Sequence, residues 1–167
     1  MKKLILTMTF LMITAGAALA QTPQPPKKEY LAQGYGYIGP AVFSTGSDAL
    51  IHYGGGAEGF LKGGLAANIE AGGFSSSNDF SDGFAVLSPG ASYHVRKATP
   101  SGKVVPFVTG GYTLFASSGG VTNGVHFGGG VTYWFKERIG LRVDVRDHVA
   151  VADNLHIIGF RVGISFR

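Results

Sequence analysis

The sequence predicts an all-β chain: an eight-stranded antiparallel up-and-down transmembrane β-barrel, preceded by a cleavable signal peptide. Three observations carry that prediction. First, Ile139, Leu141, Val143 and Val145 alternate strictly with Gly140, Arg142, Asp144 and Arg146. Successive strand side chains point to opposite faces, so this stretch is a strand with one apolar and one charged face. Second, segments of this kind recur between short turns, each near the ~9–11 residues that cross a bilayer when tilted, and their number is even. Third, the 32 residues Val104–Phe135 contain no Asp, Glu, Lys or Arg, and neither does Tyr30–Ser47. A water-facing sheet of that length carries solvating charge on its outer face. Here Gly, Thr and Ser fill the non-apolar positions instead, which suits a crowded interior and a lipid-facing exterior.

Taken in order, residues 1–20 read as a secretory signal peptide. Lys2 and Lys3 form the basic end, Leu4–Ile13 the apolar run, and Ala18-Leu19-Ala20 the small-residue cleavage signal. The run is too short for a spanning helix. Residues 21–29, with Pro23, Pro25 and Pro26, have no periodicity and form an extended periplasmic lead-in. Residues 30–167 are the barrel domain. Its expected strands are Tyr35–Ser44, Ile51–Leu61, Leu65–Phe74, Phe84–Arg96, Val104–Ala116, Val125–Phe135, Ile139–His148 and Leu155–Arg167. The connections alternate in character. The second, fourth and sixth carry Lys62, Lys97, Lys103, Lys136 and Arg138, whereas the odd ones (around Gly46, Ser75–Gly83, Ser117–Gly124 and Val149–Asn154) are rich in Gly, Ser, Asn and Asp. Tight periplasmic turns opposite longer outer loops are the barrel pattern, which the fourth connection fits only loosely. Pro40, Pro89 and Pro106 predict bulges or bends, because a ladder position there lacks its N–H.

Composition narrows the function classes. The 167-residue chain has no cysteine, so neither disulfides nor lipoprotein attachment can hold it. Its net charge of +4 includes Lys2 and Lys3, leaving too little to argue for nucleic acid. Glycine, at 27 residues, is more than twice as frequent as the ~7% of ordinary proteins. It sits inside apolar stretches such as Gly54-Gly55-Gly56 and Gly128-Gly129-Gly130, the mark of tight bends or a crowded interior. Aromatic residues gather towards strand ends: Tyr35, Tyr37 and Tyr53 at one level, and Tyr93, Tyr133, Phe135 and Phe166 near the other. Two interfacial girdles are expected to look like this.

With the apolar face outward, Glu58, Glu70, Asp144, Arg142, Arg146 and Arg161 lie inside, three acids against three bases. Counted from the strand ends at ~3.3 Å per residue, all six fall in a band roughly 13 Å deep. An eight-stranded barrel has room for side chains and little else. An ion-pair network plugging the lumen is one reading; scattered, separately hydrated charges are the other.

The chain here resembles the small eight-stranded bacterial outer-membrane barrels of the OmpA/OmpX type. The resemblance covers Tyr30–Arg167. It rests on VVPFVTGG (104–111), FGGGVTYWF (127–135), IGLRVDVRDH (139–148) and IGFRVGISFR (158–167). It implies export to the outer membrane of a Gram-negative-type bacterium, contact with outer-membrane lipid and lipopolysaccharide, and passage through periplasmic chaperones and the barrel-assembly machinery. The closing strand, with Phe160, Val162, Ile164 and Phe166, would carry the assembly signal. Arg167 follows Phe166 where many such proteins end on the aromatic residue itself.

Enzymatic and ligand motifs are few. Gly34-Tyr35-Gly36-Tyr37-Ile38-Gly39 matches G-x-G-x-x-G, but Pro40 and more strand follow where a dinucleotide site needs a helix. G-x-S-x-G and HExxH are absent. His52, His126, His148 and His156 map near the outer strand ends, a candidate metal-binding or acid-sensing rim, although His156 alternates outward and His126 and His148 inward. Lipid A deacylases and palmitoyl transferases share the barrel, yet His126-Phe127-Gly128 lacks the serine two places on, and neither Ser88 nor Ser92 is placed level with a histidine and an acid. The expectation is therefore a monomeric, non-enzymatic barrel without cofactor or metal. Its lumen is plugged and its role structural or adhesive; a narrow channel for small or apolar molecules is the alternative. A lipid-modifying enzyme and a soluble periplasmic ligand-binding barrel rank below both.

Overall fold

A computed structural model of the chain describes residues 30–46, 49–77, 83–152 and 154–167. The expected signal peptide and lead-in, residues 1–29, lie outside the described residues, as do parts of three connections. The strands are β1 (Ala32–Phe43), β2 (Ala49–Phe60), β3 (Leu65–Ser76), β4 (Gly83–His94), β5 (Val104–Ser117), β6 (Gly120–Trp134), β7 (Ile139–Ala150) and β8 (Leu155–Phe166). Each pairs antiparallel with its neighbour in sequence, and β1 pairs with β8, so the sheet closes on itself with no free edge. Closure gives every strand a partner on both sides without water, the condition for placing strands in lipid.

The strands reach further towards the loop end than alternation alone suggests. Where the sequence predicts a loop over Ser117–Gly124, β5 and β6 continue to a two-residue connection, with Ser117 opposite Gly120. Val121 and Thr122 favour extended backbone, and Gly120, at φ +132°, makes the reversal that a side chain would resist. The prolines also divide. β1–β8 pairing skips Gly39 and Pro40 between Ile38↔Val162 and Ala41↔Gly159, and β4–β5 pairing skips Ser88 and Pro89 between Leu87↔Leu114 and Gly90↔Gly111. Register is unchanged across both gaps, so these are missing hydrogen bonds and not bulges. Pro106 interrupts nothing, pairing with Val131 and accepting from the Val95 N–H through its carbonyl.

The outer wall is apolar. Ile38, Ile69, Val108, Phe127 and Phe160 are all at least half exposed, while Glu58, Glu70, Arg142, Asp144, Arg146 and Arg161 are buried inside the barrel. The apolar core proper is small and sits inside the loop end: Ala41, Leu50, Phe74, Val86, Phe115, Ala150 and Ile157, with Phe43, Phe84 and Leu155 against it.

Candidate functional site: the lumen

Every inward charge sits on a strand position of the same parity as its neighbours in the lumen, and the register then stacks them in layers. At the turn end, Glu58 on β2 meets His94 Nε2 at 2.9 Å and Arg142 Nη2 at 3.5 Å, and also accepts from Gln33. The Arg142 guanidinium is held between the rings of Tyr35 and Phe107, 4.0 and 3.8 Å from their centroids. In the next layer Glu70 accepts from Arg146 through both oxygens at 3.0 and 3.1 Å, from Arg161 at 3.0 Å, and from the Tyr35 hydroxyl at 2.7 Å. Asp144 accepts from Arg161 Nε at 2.8 Å and Nη2 at 2.7 Å, and Arg142 Nε lies 3.5 Å from its other oxygen. Asp144 thus joins the two layers, and all six charged side chains form one connected set. Charge-assisted and bidentate bonds are the strong class, and here they lie where almost no water competes.

Glycine makes the room. A Cβ on Gly56 would lie 2.7 Å from the Tyr35 hydroxyl oxygen, and one on Gly130 would lie 2.4 Å from the Asp144 Cβ. The two glycine runs are thus the walls against which the large lumen side chains pack.

Above the charges, towards the loop end, His52 stacks on Phe74 with ring centroids 4.0 Å apart, and Thr113 Oγ1 lies 3.0 Å from His126 Nδ1 and 3.3 Å from His148 Nδ1. The histidines proposed as a rim quartet are therefore divided. His52, His126 and His148 are buried in the lumen, His52 and His148 with their rings against Phe74 of the apolar cap, whereas His156 lies on the outer wall with its Nδ1 2.8 Å from Asp147. Among the described residues, no group of three or more His, Asp or Glu side chains has the geometry to hold a metal ion.

Two other expectations are corrected. Tyr35 and Tyr37 do not join an outer girdle: both face inward, Tyr35 towards Glu70 and Tyr37 beneath the Arg161 guanidinium at 4.0 Å. They share parity with Gln33, which is the signal that marks them as lumen residues. Ser92 does stand level with a histidine and an acid, its Oγ 3.2 Å from His94 Nε2 and 3.3 Å from Glu58 Oε1. Glu58 pairs with Asn68 and Asn68 with Gly90, which sets Ser92 two residues from the Glu58 level across two strands. Serine and glutamate address the same ring nitrogen, however. In a serine–histidine–acid relay the acid holds one nitrogen and the serine the other. Ser88 stands opposite Glu70 on the neighbouring strand, but its hydroxyl bonds Thr113 at 3.0 Å.

No family model matches the chain, and no curated protein matches it. Among solved structures, neisserial surface protein A (NspA) is similar with a TM-score of 0.60 at 18% identity, covering 81% of this chain and 94% of that one. The N-terminal β-barrel domain of Pseudomonas aeruginosa OprF gives 0.58 at 18% identity over 81% and 96%. Ail, the attachment invasion locus protein of Yersinia pestis, gives 0.53 at 10% identity over 81% and 95%. At these identities the likeness is one of fold: this chain has the eight-stranded transmembrane-barrel fold.

Proposed function

We propose that this chain is a monomeric outer-membrane barrel with a sealed lumen, serving a structural or adhesive role through the connections at its loop end. One observation carries the reading: the polarity is inverted, with large apolar side chains such as Val108 and Phe127 on the outer wall and three arginines fully buried inside. That arrangement is stable where the surroundings are apolar, and it exposes an unmanageable apolar surface in water. Sealing is favoured by the succession within the barrel of a connected ion-pair layer, a histidine and threonine layer, and an apolar cap. An adhesive role accords with similarity to a protein named for attachment and invasion and to another named as a surface protein.

On this reading residues 1–20 are removed on export, periplasmic chaperones and the barrel-assembly machinery receive the mature chain, and the strand with Phe160, Val162, Ile164 and Phe166 is the segment that machinery reads. Outer-membrane lipid and lipopolysaccharide are its surroundings. Fractionation with a heat-modifiability gel tests the membrane assignment: the chain is expected in the outer-membrane pellet and shifts on boiling. A detergent-free soluble monomer overturns it. Planar-bilayer recording tests the seal, and large, steady conductance overturns that part and favours the narrow-channel alternative.

A further inference from the structure

The turn end of the barrel is built differently from the loop end. Two of its connections, residues 61–64 and 135–138, have four residues, whereas the β4–β5 connection, residues 95–103, has nine. The longer connection brings Arg96 and Lys97 to the mouth of the lumen. There they line a cavity of about 590 Å³ together with Phe60, His94, Trp134 and Arg167. Ligand pockets commonly run ~300–1,000 Å³. Three cations line this one, and among the described residues no Asp or Glu side chain does. Glu58, beneath the floor, is already engaged by His94, Arg142 and Gln33.

Two of the three cations are held by stacking. The Arg96 guanidinium lies 4.1 Å over the Phe60 ring, and that of Arg167 lies 4.0 Å over Trp134 and 4.6 Å over Tyr30. Arg167 Nε donates to the Glu137 carbonyl at 2.9 Å, and the Tyr30 hydroxyl donates to the Glu137 side chain at 2.8 Å. Stacking fixes a guanidinium plane while leaving its edge N–H groups able to take a carboxylate or phosphate. Burial draws Arg167 below the ordinary arginine range; the neighbouring Arg96 charge acts in the same direction, against the raising effects of Tyr30 and Glu137. Like charges gathered on aromatic walls leave a place for an anion.

We propose that this cavity binds a small organic anion with an apolar ring or chain, its acidic group between Arg96, Lys97 and Arg167 and its apolar part against Phe60 and Trp134. The site is independent of the seal higher in the lumen and of any adhesive role.

Trp134 is the chain's one tryptophan and a wall of the cavity, so its emission reports occupancy. The folded full chain in neutral detergent is titrated with phenyl phosphate and, separately, with benzoate. A saturable change in Trp134 emission is expected with at least one of them, and phenol, the neutral counterpart, should need about tenfold more, since charge-assisted hydrogen bonds contribute about 1.5–3 kcal/mol. The double variant R96Q/K97Q should lose about tenfold in affinity. K62Q/K136Q removes equal charge from the same end of the barrel at two side chains that do not line the cavity, and should retain binding. All four positions lie outside the strands, and a heat-modifiability gel checks that each variant is folded; should R96Q/K97Q not fold, K97Q alone serves. No saturable change, equal binding of phenol, or equal loss in the two double variants overturns the proposal. So does binding seen only when the chain begins at Tyr30, because residues 21–29 would then be the occupant.

Discussion

The charged layer around Glu70 and the apolar cap around Phe74 occupy the same lumen and are held by opposite means. Glu70 depends on named partners: two guanidinium groups and one phenol reach its two oxygens. Phe74 depends on volume, filling the space between the rings of His52 and Phe84. The charged layer gives a unique arrangement, because each ion is costly without its counter-ion. The cap gives closure, because any side chains of the right bulk exclude water. A barrel this narrow uses the first in its middle, where glycine walls leave room for long side chains, and the second where strands give way to connections.

The difference predicts different responses to substitution, and the largest belongs to Glu70. Glu70→Ala strands Arg146 and Arg161 in a buried site and should destabilise the barrel by about 5 kcal/mol, the upper end of what breaking a buried pair costs. Urea unfolding of the refolded barrel, followed by Trp134 emission and gel shift, measures it. Adding Arg146→Met should recover part of the loss, since removing both members of a buried pair is much less harmful than removing one. If the double variant is worse by the sum of the singles, the layer is not a coupled network.

Phe74→Ala should cost about 3 kcal/mol through lost burial and a residual cavity. Its signature is the reverse of that at Glu70: no substitution of a charged neighbour rescues it, whereas refilling the space does. Phe74→Leu should therefore keep most of the stability in the same unfolding assay. Gly130→Ala comes next, at about 2 kcal/mol, because the added carbon meets Asp144 and the main chain opposite and the overpacked wall must shift. A neutral Gly130→Ala would show that the glycine walls are not what makes room for the charges.

Much of this was legible from alternation alone. A period of two assigns each side chain to one wall, so the inward placement of Glu58, Glu70 and the three arginines follows once the apolar face is turned to lipid. Tyr35 and Tyr37 depart from the expected girdle because aromatic residues near strand ends have two uses, and their parity with Gln33 outranks their level. Ser92, His94 and Glu58 meet through stagger accumulated across two strand pairs, which no single segment records. The β5–β6 hairpin is taller than its Gly and Ser content implies, because Val121 and Thr122 continue the ladder to the reversal at Gly120. Pro106 disrupts nothing because only its carbonyl is needed on the β4 side, a fact that depends on which neighbour the missing N–H faces.

His156 marks the low end of the scale. Its contact with Asp147, at 2.8 Å, is as short as many in the lumen, yet the histidine side chain is 37% exposed. Distance alone would rank this pair beside Arg161 and Asp144. Burial ranks it far below, because solvent reorganises around either partner once the other is gone. His156→Gln should change stability by less than about 1 kcal/mol, the usual range for an exposed pair, and added salt should shrink even that. A loss approaching that of Glu70→Ala would mean that the loop end of the outer wall is as tightly organised as the lumen, and the contrast between buried partner and exposed partner would no longer order the molecule.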